Sequence, residues 1–461
     1  MTSYHFVGVG GIGMSAIARI LLARGESVSG SDLSLTPLVR RLRDEGVRVT
    51  IGHDAANVAG AQTVVVSSAI ARRNPECVAA AKLGIPVLHR GEMLARLLAG
   101  RRGIAVCGTH GKTTTTAMAH GVLRRGGIDA GLALGGIDVA LDTNAHNGSA
   151  PWFVTEADES DGSFVLLEPA IAVVTNVEND HLTSDEELPG LVRAFAEFLA
   201  KLPDDGVAIV GIDNALSASL TSHDLRARVV TYGLAPSALV RAERLRFDGL
   251  ASRFDVVANE RRIGEVELRV PGEMNVQNAL GAVAVGLELG IPFDAIAAAL
   301  RDFAGVRRRF DVLVSSPRAI VVDDYAHHPT AVRATIAAAR RCHYGELVVA
   351  FQPHRYSRTA YLAREFAAAL RDADRVYLAP IYAASEPVIP GVSERSIGDP
   401  LAALGGDVRY AASMEELERR LLAEIPPGAM ILMFGAGDIT DAASRLASRI
   451  ESGERAASLP A

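Results

Sequence analysis

Two glycine-rich loops, each between a strand-like run and a helix-like run, constrain this chain more than any other feature of its sequence. The first is Gly8–Gly13, and the second, about 100 residues later, is Gly108–Thr114. A glycine loop at the end of a parallel strand brings backbone N–H groups and a helix N-terminus against phosphate. The two loops therefore predict two nucleotide-binding sheets in one chain.

Strand-like and helix-like runs alternate along the chain, which predicts an α/β fold with largely parallel sheets. Between Val240 and Val270 shorter alternating strands predict a small β insertion. The 461 residues suggest about three domains, and a third α/β block begins near Val306. The predicted strands are His5–Val9, Thr63–Ser67, Ile104–Cys107, Ala170–Thr175, Val207–Val210, Ile320–Val322, Leu347–Phe351 and Met430–Phe434.

Charge and cysteine content narrow the range of functions. Lys and Arg number 47 and Asp and Glu 54, a net charge of −7, which argues against a general nucleic-acid binder. We find no apolar run of membrane-spanning length and no signal-peptide pattern, so we expect no membrane association. Cys77, Cys107 and Cys342 have neither disulfide-framework nor zinc spacing. We therefore expect a cytoplasmic protein.

The first loop satisfies the GxGxxG pattern of a diphosphate-binding turn. Gly10, Gly11, Ile12 and Gly13 would hold a diphosphate at the helix N-terminus. Asp32 follows Gly13 by 19 residues, at the end of the next predicted strand, where a ribose-binding carboxylate belongs. The motif predicts diphosphate and ribose without selecting the remainder of the ligand, and a tight turn without ligand is the structural alternative.

The second loop has the phosphate-binding part of a P-loop. Lys112 can reach the β- and γ-phosphates, the Thr113 hydroxyl can ligate Mg²⁺, and loop amides can cradle phosphate oxygens. The first glycine of the general P-loop pattern would fall at Val106, inside the predicted strand, so this loop is shorter than usual. We expect ATP contacts from Gly108, Thr109, His110, Gly111, Lys112, Thr113 and Thr114.

An acidic run and a histidine follow the next two strands. Four carboxylates occur in Glu156–Asp161, and the strand at Ala170–Thr175 leads to His181. Strand ends on one side of a parallel sheet converge, so Glu156 and His181 could hold a metal ion near the γ-phosphate. The alternatives are a solvated acidic loop and a structural histidine.

Polar residues also follow two strands near the C-terminus, in Asp323–Thr330 and Phe351–Thr359. Arginines on such loops suit bidentate capture of carboxylate or phosphate. Arg307–Arg309 precede both segments and could reach a nucleotide. A basic solvated face is the alternative for the arginines alone, but the histidines and tyrosines at strand ends favour a site.

Taken together, these motifs resemble the Mur ligase family, the ATP-dependent amide-forming enzymes of peptidoglycan precursor synthesis. The resemblance runs from Gly8 to about Asp438. It rests on six segments in the family's order, namely Gly8–Ser15, Ser67–Ile70, Gly108–Thr115, Glu156–Asp161, Asp323–Thr330 and Phe351–Thr359.

The resemblance implies three domains with distinct ligands. The first, at 1–100, is a Rossmann-like domain that binds the UDP-substrate. The second, at 101–305, is a central P-loop ATPase-type domain with a parallel sheet. The third, at 306–461, is a C-terminal Rossmann-like domain that binds the amino acid and closes over ATP. The implied cofactors are ATP and two Mg²⁺ ions, and the implied substrates are UDP-N-acetylmuramate and L-alanine. The oligomeric state stays open.

The resemblance also implies roles for single residues. Lys112, His327, Arg355 and Arg358 would be catalytic, and Asn278 and Arg308 would contact ATP. Metal would be held by Thr113, Glu156 and His181. The UDP-substrate and amino acid would be bound by Gly10, Gly11, Ile12, Gly13, Asp32, Ser67, Ser68, Tyr325, His327, Arg355 and Arg358.

The sequence departs from the family pattern at Met274, where a histidine is expected. Other functions also remain to be distinguished. A nicotinamide-dependent oxidoreductase would explain the first loop alone, and a non-catalytic P-loop switch would explain the second alone. A sister ligase that attaches L-Ala-γ-D-Glu-meso-diaminopimelate during wall recycling shares several motifs, although Ser67–Ile70 and Phe351–Thr359 favour L-alanine as substrate.

Overall fold

The computed structural model describes residues 2–159, 162–179, 188–342 and 344–453, which form three β-sheets. The chain divides into two compact units. The first comprises the chain up to Glu243 together with Asp255–Val266 and Gln277–Phe303. The second comprises Arg244–Phe254, Glu267–Val276 and the chain from Ala304 onward.

The N-terminal sheet has five strands in the order β3-β2-β1-β4-β5, and all neighbouring pairs are parallel. Adjacent strands β1 and β4 lead away to opposite sides, which opens a crevice at their carboxyl ends. The strands are β1 (Ser3–Val7), β2 (Ser27–Asp32), β3 (Arg48–Ile51), β4 (Thr63–Val66) and β5 (Val87–His89). The helices are α1 (Ile12–Ala23), α2 (Pro37–Asp44), α3 (Pro75–Lys82) and α4 (Arg90–Leu98), with a short 3₁₀ turn at Ala55–Val58.

The central sheet has ten strands in the order β15-β14-β13-β12-β11-β10-β6-β9-β7-β8. Its strands are β6 (Arg102–Cys107), β7 (Gly131–Asp138), β8 (Thr143–His146), β9 (Trp152–Glu156), β10 (Ile171–Val174), β11 (Val207–Gly211), β12 (Arg228–Gly233), β13 (Val240–Asp248), β14 (Ala251–Ala258) and β15 (Arg261–Leu268). Its helices are α5 (Lys112–Arg125), α6 (Leu188–Leu199), α7 (Ala215–Ser219), α8 (Glu273–Glu288) and α9 (Phe293–Arg301), with 3₁₀ turns at Ser163–Leu166 and Leu220–Ser222. The last three strands form the predicted β insertion.

The C-terminal sheet has six strands in the order β16-β17-β21-β18-β19-β20. Only β16 at its edge runs antiparallel to its neighbour among the described strands. The strands are β16 (Asp311–Ser315), β17 (Ala319–Asp324), β18 (Leu347–Phe351), β19 (Arg375–Leu378), β20 (Val408–Tyr410) and β21 (Ala429–Phe434). The helices are α10 (Pro329–Ala339), α11 (Tyr356–Leu370), α12 (Arg395–Ala403), α13 (Met414–Glu424) and α14 (Ile439–Glu451).

Burial follows from this layering. Every residue of β18 and β21 is buried, because helices cover both faces of the C-terminal sheet and separate apolar cores lie on its two sides. In the first unit one continuous core extends from Phe6 and Ile17 to Phe153 and Phe195, so the N-terminal and central sheets share it. The predicted α/β class is confirmed. Within the described ranges, no helix is both long and apolar enough to cross a membrane.

Candidate active site

Two glycines shape the second loop. Gly108 has φ +125° and Gly111 has φ +82°, conformations that residues with a Cβ rarely adopt. A Cβ on Gly108 would lie 2.1 Å from Thr175 Oγ1, and one on Gly111 would lie 2.3 Å from Asn278 Oδ1. Helix α5 begins at Lys112, immediately after Gly111. Loop amides and a helix N-terminus therefore meet at the carboxyl end of β6, as anion binding requires.

The Lys112 ammonium is held inside this loop. Its Nζ donates to the Gly108 carbonyl oxygen at 2.6 Å and lies 2.8 Å from Glu159 Oε2. The Glu159 side chain is only 3% exposed, so this ion pair is shielded from water. Burial alone would lower the pKa of Lys112, but the carboxylates of Glu159, Asp158 and Glu156 raise it above its ordinary value. Lys112 is therefore a permanent cation.

Thr113 and Thr114 lie buried in the first turn of α5. The Thr113 hydroxyl donates to Glu156 Oε2 at 3.0 Å, and the other oxygen of Glu156 accepts the Gly135 N–H. The hydroxyl and carboxylate oxygens are the ligand types that Mg²⁺ prefers, so this pair fits a divalent cation. His181, the third predicted ligand, lies outside the described residues, within which no group of three or more metal-binding His, Cys, Asp or Glu side chains is found.

Asn176 and Asn278 support the loop from neighbouring elements. Asn176 O accepts from Thr109 N at 2.9 Å, and Asn176 Oδ1 accepts from His110 N at 2.9 Å. Buried Asn278, in α8, accepts from Thr115 Oγ1 at 3.2 Å. The structure therefore places Asn278 against the ATP-type loop, although 163 residues separate it from Thr115.

The first loop lies at the carboxyl end of β1 and leads into α1. Gly11 is the N-cap of α1, and Ile12 is its first residue. Asp32, at the end of β2, accepts the Gly10 N–H at 2.8 Å. A Cβ on Gly10 would lie 2.8 Å from Asp32 Oδ2, so glycine permits this close contact. Asp32 thus holds the loop itself, in addition to its predicted place beside a ribose.

Ser67 and Ser68 follow β4, the strand beside β1. Ser67 is partly buried and Ser68 is exposed. The same segment brings Ile70 Cδ1 to 3.4 Å from the position that a Cβ on Gly8 would occupy. The segment that carries both predicted serines therefore reaches the first loop through Ile70.

Arg90 extends the first loop toward the acidic run. It is the first residue of α4, and its Nη1 lies 3.3 Å from the position of a Cβ on Gly13. Its Nη2 donates to Asp158 Oδ2 at 2.7 Å. Arg90 thus lies next to the diphosphate-type turn and is hydrogen-bonded to a residue close to the ATP-type loop. This role was not predicted from the sequence.

In the second unit, Asp324 ends β17 beneath the predicted polar segment. Its carboxylate accepts the Phe310 N–H at 2.7 Å and the Ala326 N–H at 2.8 Å. Burial raises the pKa of Asp324 to about 6, although Arg309 and the two N–H groups act in the opposite direction. Asp324 therefore fixes the backbone at Phe310 and, within the predicted polar segment, at Ala326.

Arg308 and Tyr325 form a cation–π pair beside the same strand end. The Arg308 guanidinium carbon lies 4.8 Å from the Tyr325 ring centroid, and its Nη2 donates to Gly435 O at 2.6 Å. Arg308 has φ +63°, an uncommon conformation that aims its side chain across the ends of β17 and β21. Its Nε lies 3.8 Å from Asp323 Oδ2.

Three aromatic side chains form a row next to this pair. His327 Nδ1 donates to Tyr325 O at 2.8 Å, which directs Nε2 away from that backbone. The His327 ring contacts the Tyr325 ring edge-on at 5.0 Å and the His354 ring at 5.8 Å. His354 stacks on Tyr382 at 5.6 Å. The two C-terminal motifs, which follow different strands, therefore meet in one cluster.

Arg355 and Arg358 surround His354 with positive charge. Arg355 is the N-cap of α11 with φ +71°, and its N–H donates to Tyr382 O at 2.8 Å. Burial, together with the Arg358 and Arg355 cations, lowers the pKa of His354 to about 4. His354 is therefore neutral at physiological pH, in surroundings that suit a carboxylate and disfavour another cation.

Several residues at these sites were missed from the sequence or not assigned a role. Glu159, Asp158, Arg90, Gly135 and His354 have contacts with predicted residues as described above. The acidic run signalled Glu159 and Asp158, and the Phe351–Thr359 segment signalled His354. No local pattern distinguished Arg90 or Gly135, because their partners lie 68 and 21 residues away in sequence.

The sequence matches known families along three consecutive segments. Residues 3–102 match the Mur ligase family, catalytic domain. Residues 106–286 match the Mur ligase middle domain, and residues 308–437 match the Mur ligase, glutamate ligase domain. The matched segments together cover most of the chain.

Individual relatives are similar over nearly their full lengths. A UDP-N-acetylmuramate–L-alanine ligase from Acidithiobacillus ferrooxidans is 46% identical over 450 residues, covering 96% of each chain. A protein of the same name from Rhizobium meliloti is 43% identical over 98% of each chain. The crystal structure of UDP-N-acetylmuramate-alanine ligase from Thermotoga maritima has TM-score 0.85 and 31% identity, covering 98% of this chain and 100% of that chain. A murein peptide ligase from Psychrobacter arcticus, with TM-score 0.74 and 24% identity over 97% and 98%, shares the fold.

Proposed function

This chain belongs to the Mur ligase family, and we infer that it is the member that joins L-alanine to UDP-N-acetylmuramate with hydrolysis of ATP to ADP and phosphate. The observation that carries this function is the 46% identity, over 96% of both chains, to a ligase of that name. The reaction is a step of peptidoglycan precursor synthesis. We further propose the domain limits 1–100, 101–305 and 306–461, and a cytoplasmic location, which three free thiols favour.

We propose that the second loop binds ATP. Gly108, Thr109, His110, Gly111 and Thr114 would surround the phosphates, with the Thr109 and His110 backbone held in place by Asn176. Lys112 would place its charge on the transferring group. Phosphoryl transfer needs mainly positioning and charge stabilisation, which a permanent lysine cation at a helix N-terminus supplies. Asn278 would contact the adenine, and Arg308 would also contact the nucleotide.

Thr113 and Glu156 would hold Mg²⁺, together with His181. The ions, of which we propose two, offset negative charge on the phosphates when bound. The role of this chain is to orient the ligands, and the Gly135 N–H does so for Glu156 by fixing one carboxylate oxygen.

The first loop would hold UDP-N-acetylmuramate. Gly10, Gly11, Ile12 and Gly13 would surround the diphosphate at the N-terminus of α1, where backbone N–H groups and the helix dipole favour anions. Asp32 would lie near the ribose, and Ser67 and Ser68 would border the same substrate.

A carboxylate is a poor acyl donor, so the reaction requires activation. In our proposal the muramoyl carboxylate oxygen attacks the γ-phosphorus of ATP, giving an acyl phosphate and ADP. The neutral amine of L-alanine then attacks the acyl carbon, the C–O bond to phosphate breaks, and the amine proton leaves with phosphate. An α-amino group titrates near pH 8, so a usable neutral fraction exists at pH 7.

The C-terminal cluster would bind L-alanine and the muramoyl group. Arg355 and Arg358 suit capture of the amino-acid carboxylate, and their charges also disfavour protonation of a nearby amine. Tyr325 and His327 would orient the reacting groups. His327 can do so through Nε2 because Nδ1 is already engaged with Tyr325 O.

The test is phosphate release from ATP with UDP-N-acetylmuramate, with L-alanine, L-serine, glycine or L-Ala-γ-D-Glu-meso-diaminopimelate added separately. We expect the strongest release with L-alanine, and loss of that release in Lys112→Ala. Release only with the tripeptide would instead indicate the wall-recycling ligase. Release that does not depend on the UDP-sugar would contradict a ligase function altogether.

A further inference from the structure

One hairpin in the first unit contacts both proposed substrate sites. It consists of β7 and β8, and its Gly135 N–H donates to Glu156, the proposed metal ligand. At its other strand, Asn144 contacts Ile12, the residue of the proposed diphosphate loop at which α1 begins. The same short element therefore supports the ATP side and the UDP side of the reaction.

The side chain of Asn144 is fully buried, and both of its ends are engaged. Its Nδ2 donates to Ile12 O at 2.7 Å and to Ser15 Oγ at 2.9 Å, while its Oδ1 accepts from Arg19 Nη1. A guanidinium can only donate, so Arg19 determines which end of the amide faces α1. Asn144 thus presents two donors to the turn that would hold the diphosphate.

Arg19 anchors this arrangement. Its side chain is 8% exposed, and its Nε donates to Glu45 Oε2 at 2.6 Å while its Nη2 donates to Glu45 Oε1 at 3.0 Å. Such a bidentate pair fixes the guanidinium plane, because two parallel hydrogen bonds allow one orientation. The Asn144 amide is consequently held by Arg19 at its oxygen and by α1 at its nitrogen.

The opposite strand is equally constrained. A Cβ on Gly135 would lie 2.8 Å from Glu156 Oε1, so the backbone of β7 lies directly against the Glu156 carboxylate. A displacement of the hairpin would therefore move Glu156 relative to α5. Because cores are close-packed, such a shift is transmitted instead of absorbed.

We propose that the β7–β8 hairpin couples the two substrate sites, and that Asn144 is the positioning residue that sets the distance between the UDP-substrate carboxylate and the γ-phosphate. Asn144 acts through Ile12 and Ser15 and does not touch substrate. This proposal rests on the proposed function, since it assigns one end of the hairpin to UDP-N-acetylmuramate and the other to ATP. Misplacement of reacting groups by about 1 Å can reduce a rate about 100-fold.

The decisive variant is Asn144→Asp in the full chain. Aspartate keeps the shape and still accepts from Arg19, but it cannot donate to Ile12 O. Asn144→Ala removes all three bonds and serves as the stronger variant. The matched control is Asp142→Asn, because Asp142 pairs with Arg41 at the tip of the same hairpin and has φ +49°, which asparagine tolerates.

The measurements are binding of UDP-N-acetylmuramate with and without a non-hydrolysable ATP analogue and Mg²⁺, kcat and KM for each substrate, and the melting temperature. In the unaltered protein we expect the analogue to tighten UDP-sugar binding about fivefold or more. In Asn144→Asp we expect this factor to approach one and kcat to fall about tenfold or more. The affinity for the ATP analogue in the absence of the UDP-sugar should be nearly unchanged. Asp142→Asn should behave as the unaltered protein.

Two results would contradict the coupling. A lower melting temperature with unchanged coupling and kcat would make Asn144 a purely structural residue. Absence of coupling in an unaltered protein that releases phosphate with L-alanine would also overturn the proposal. If the unaltered protein binds both ligands with coupling that Asn144→Asp removes, yet forms no amide, the hairpin's role stands and the proposed function fails.

Discussion

The Lys112 ammonium lies 2.8 Å from Glu159 Oε2, so the proposed phosphate-binding cation is already paired within the protein. The two residues are 47 positions apart in sequence and both are largely shielded from solvent. A buried cation without a partner is costly, which explains why a carboxylate lies here. It also means that ATP phosphates must compete with Glu159 for Lys112.

Glu159→Gln should therefore tighten ATP binding and lower the stability of the nucleotide-free protein. We expect the Kd for ATP to fall about three- to tenfold, equivalent to about 1 kcal/mol. The melting temperature should fall without nucleotide and recover with it, because phosphate then supplies the missing anion. Calorimetric titration and thermal melts measure both effects. Glu178→Gln is the control, since Glu178 pairs with His110 instead, and weaker ATP binding in Glu159→Gln would contradict competition.

Gly111→Ala should abolish ATP binding. The added Cβ would lie 2.3 Å from Asn278 Oδ1, and φ +82° is strained for alanine. Gly121→Ala in the same helix is the matched control, because nothing lies within 4 Å of its Cβ position. That control should stabilise the protein by about 0.5–1 kcal/mol. Equal ATP affinity in the two variants would rule out the close approach of Asn278.

Arg90→Ala should raise the KM for UDP-N-acetylmuramate about tenfold, since a guanidinium beside the diphosphate turn would be lost. The melting temperature should change little, because the Arg90–Asp158 pair is part-exposed and such pairs contribute about 0–1 kcal/mol. Steady-state kinetics with each substrate varied in turn separates the effects. Arg96→Ala, exposed on the same helix, provides the control. A change confined to stability would contradict a binding role.

Asp324→Asn should alter the dependence of stability on pH. The raised pKa of Asp324, about 6, means that the folded protein keeps a proton which the unfolded chain loses near pH 4. This group therefore lowers the free energy of unfolding as the pH rises from about 4 to 6, by on the order of 3 kcal/mol. Relative to the unaltered protein, Asp324→Asn should gain stability across that window, as followed by denaturant unfolding.

Glu76→Gln should change the pH dependence of the free energy of unfolding in the opposite direction. Although burial alone would raise the pKa of Glu76, the nearby His5 imidazole and hydrogen bonds from Asn57 and Ser31 lower it to about 2. Glu76 therefore contributes stability that is complete above about pH 4.5 and is lost as the pH falls toward 2. Glu76→Gln should lose stability relative to the unaltered protein above that range. If the free energy of unfolding depended on pH with the same slope in Asp324→Asn and in Glu76→Gln, the environments assigned to these two carboxyl groups would be contradicted.

Much of the fold and of both loops could be predicted because the relevant signals are local. The strand, glycines, Lys112 and Thr113 of the ATP-type loop lie within about a dozen residues, and the conformation of each is determined by neighbours in sequence. The end of β2 at Asp32 followed from the same local pattern. The α/β class followed from alternation of strand and helix runs.

The sequence by itself determined which elements form and which chemistry each loop carries, because backbone conformation and hydrophobic periodicity depend on adjacent residues. Only the tertiary structure decided which distant side chains meet. Asn144 contacts Ile12 across 132 positions, and Arg90 contacts Asp158 across 68. Such contacts depend on the order of strands in the sheets and on the packing between them, and no local periodicity encodes that order.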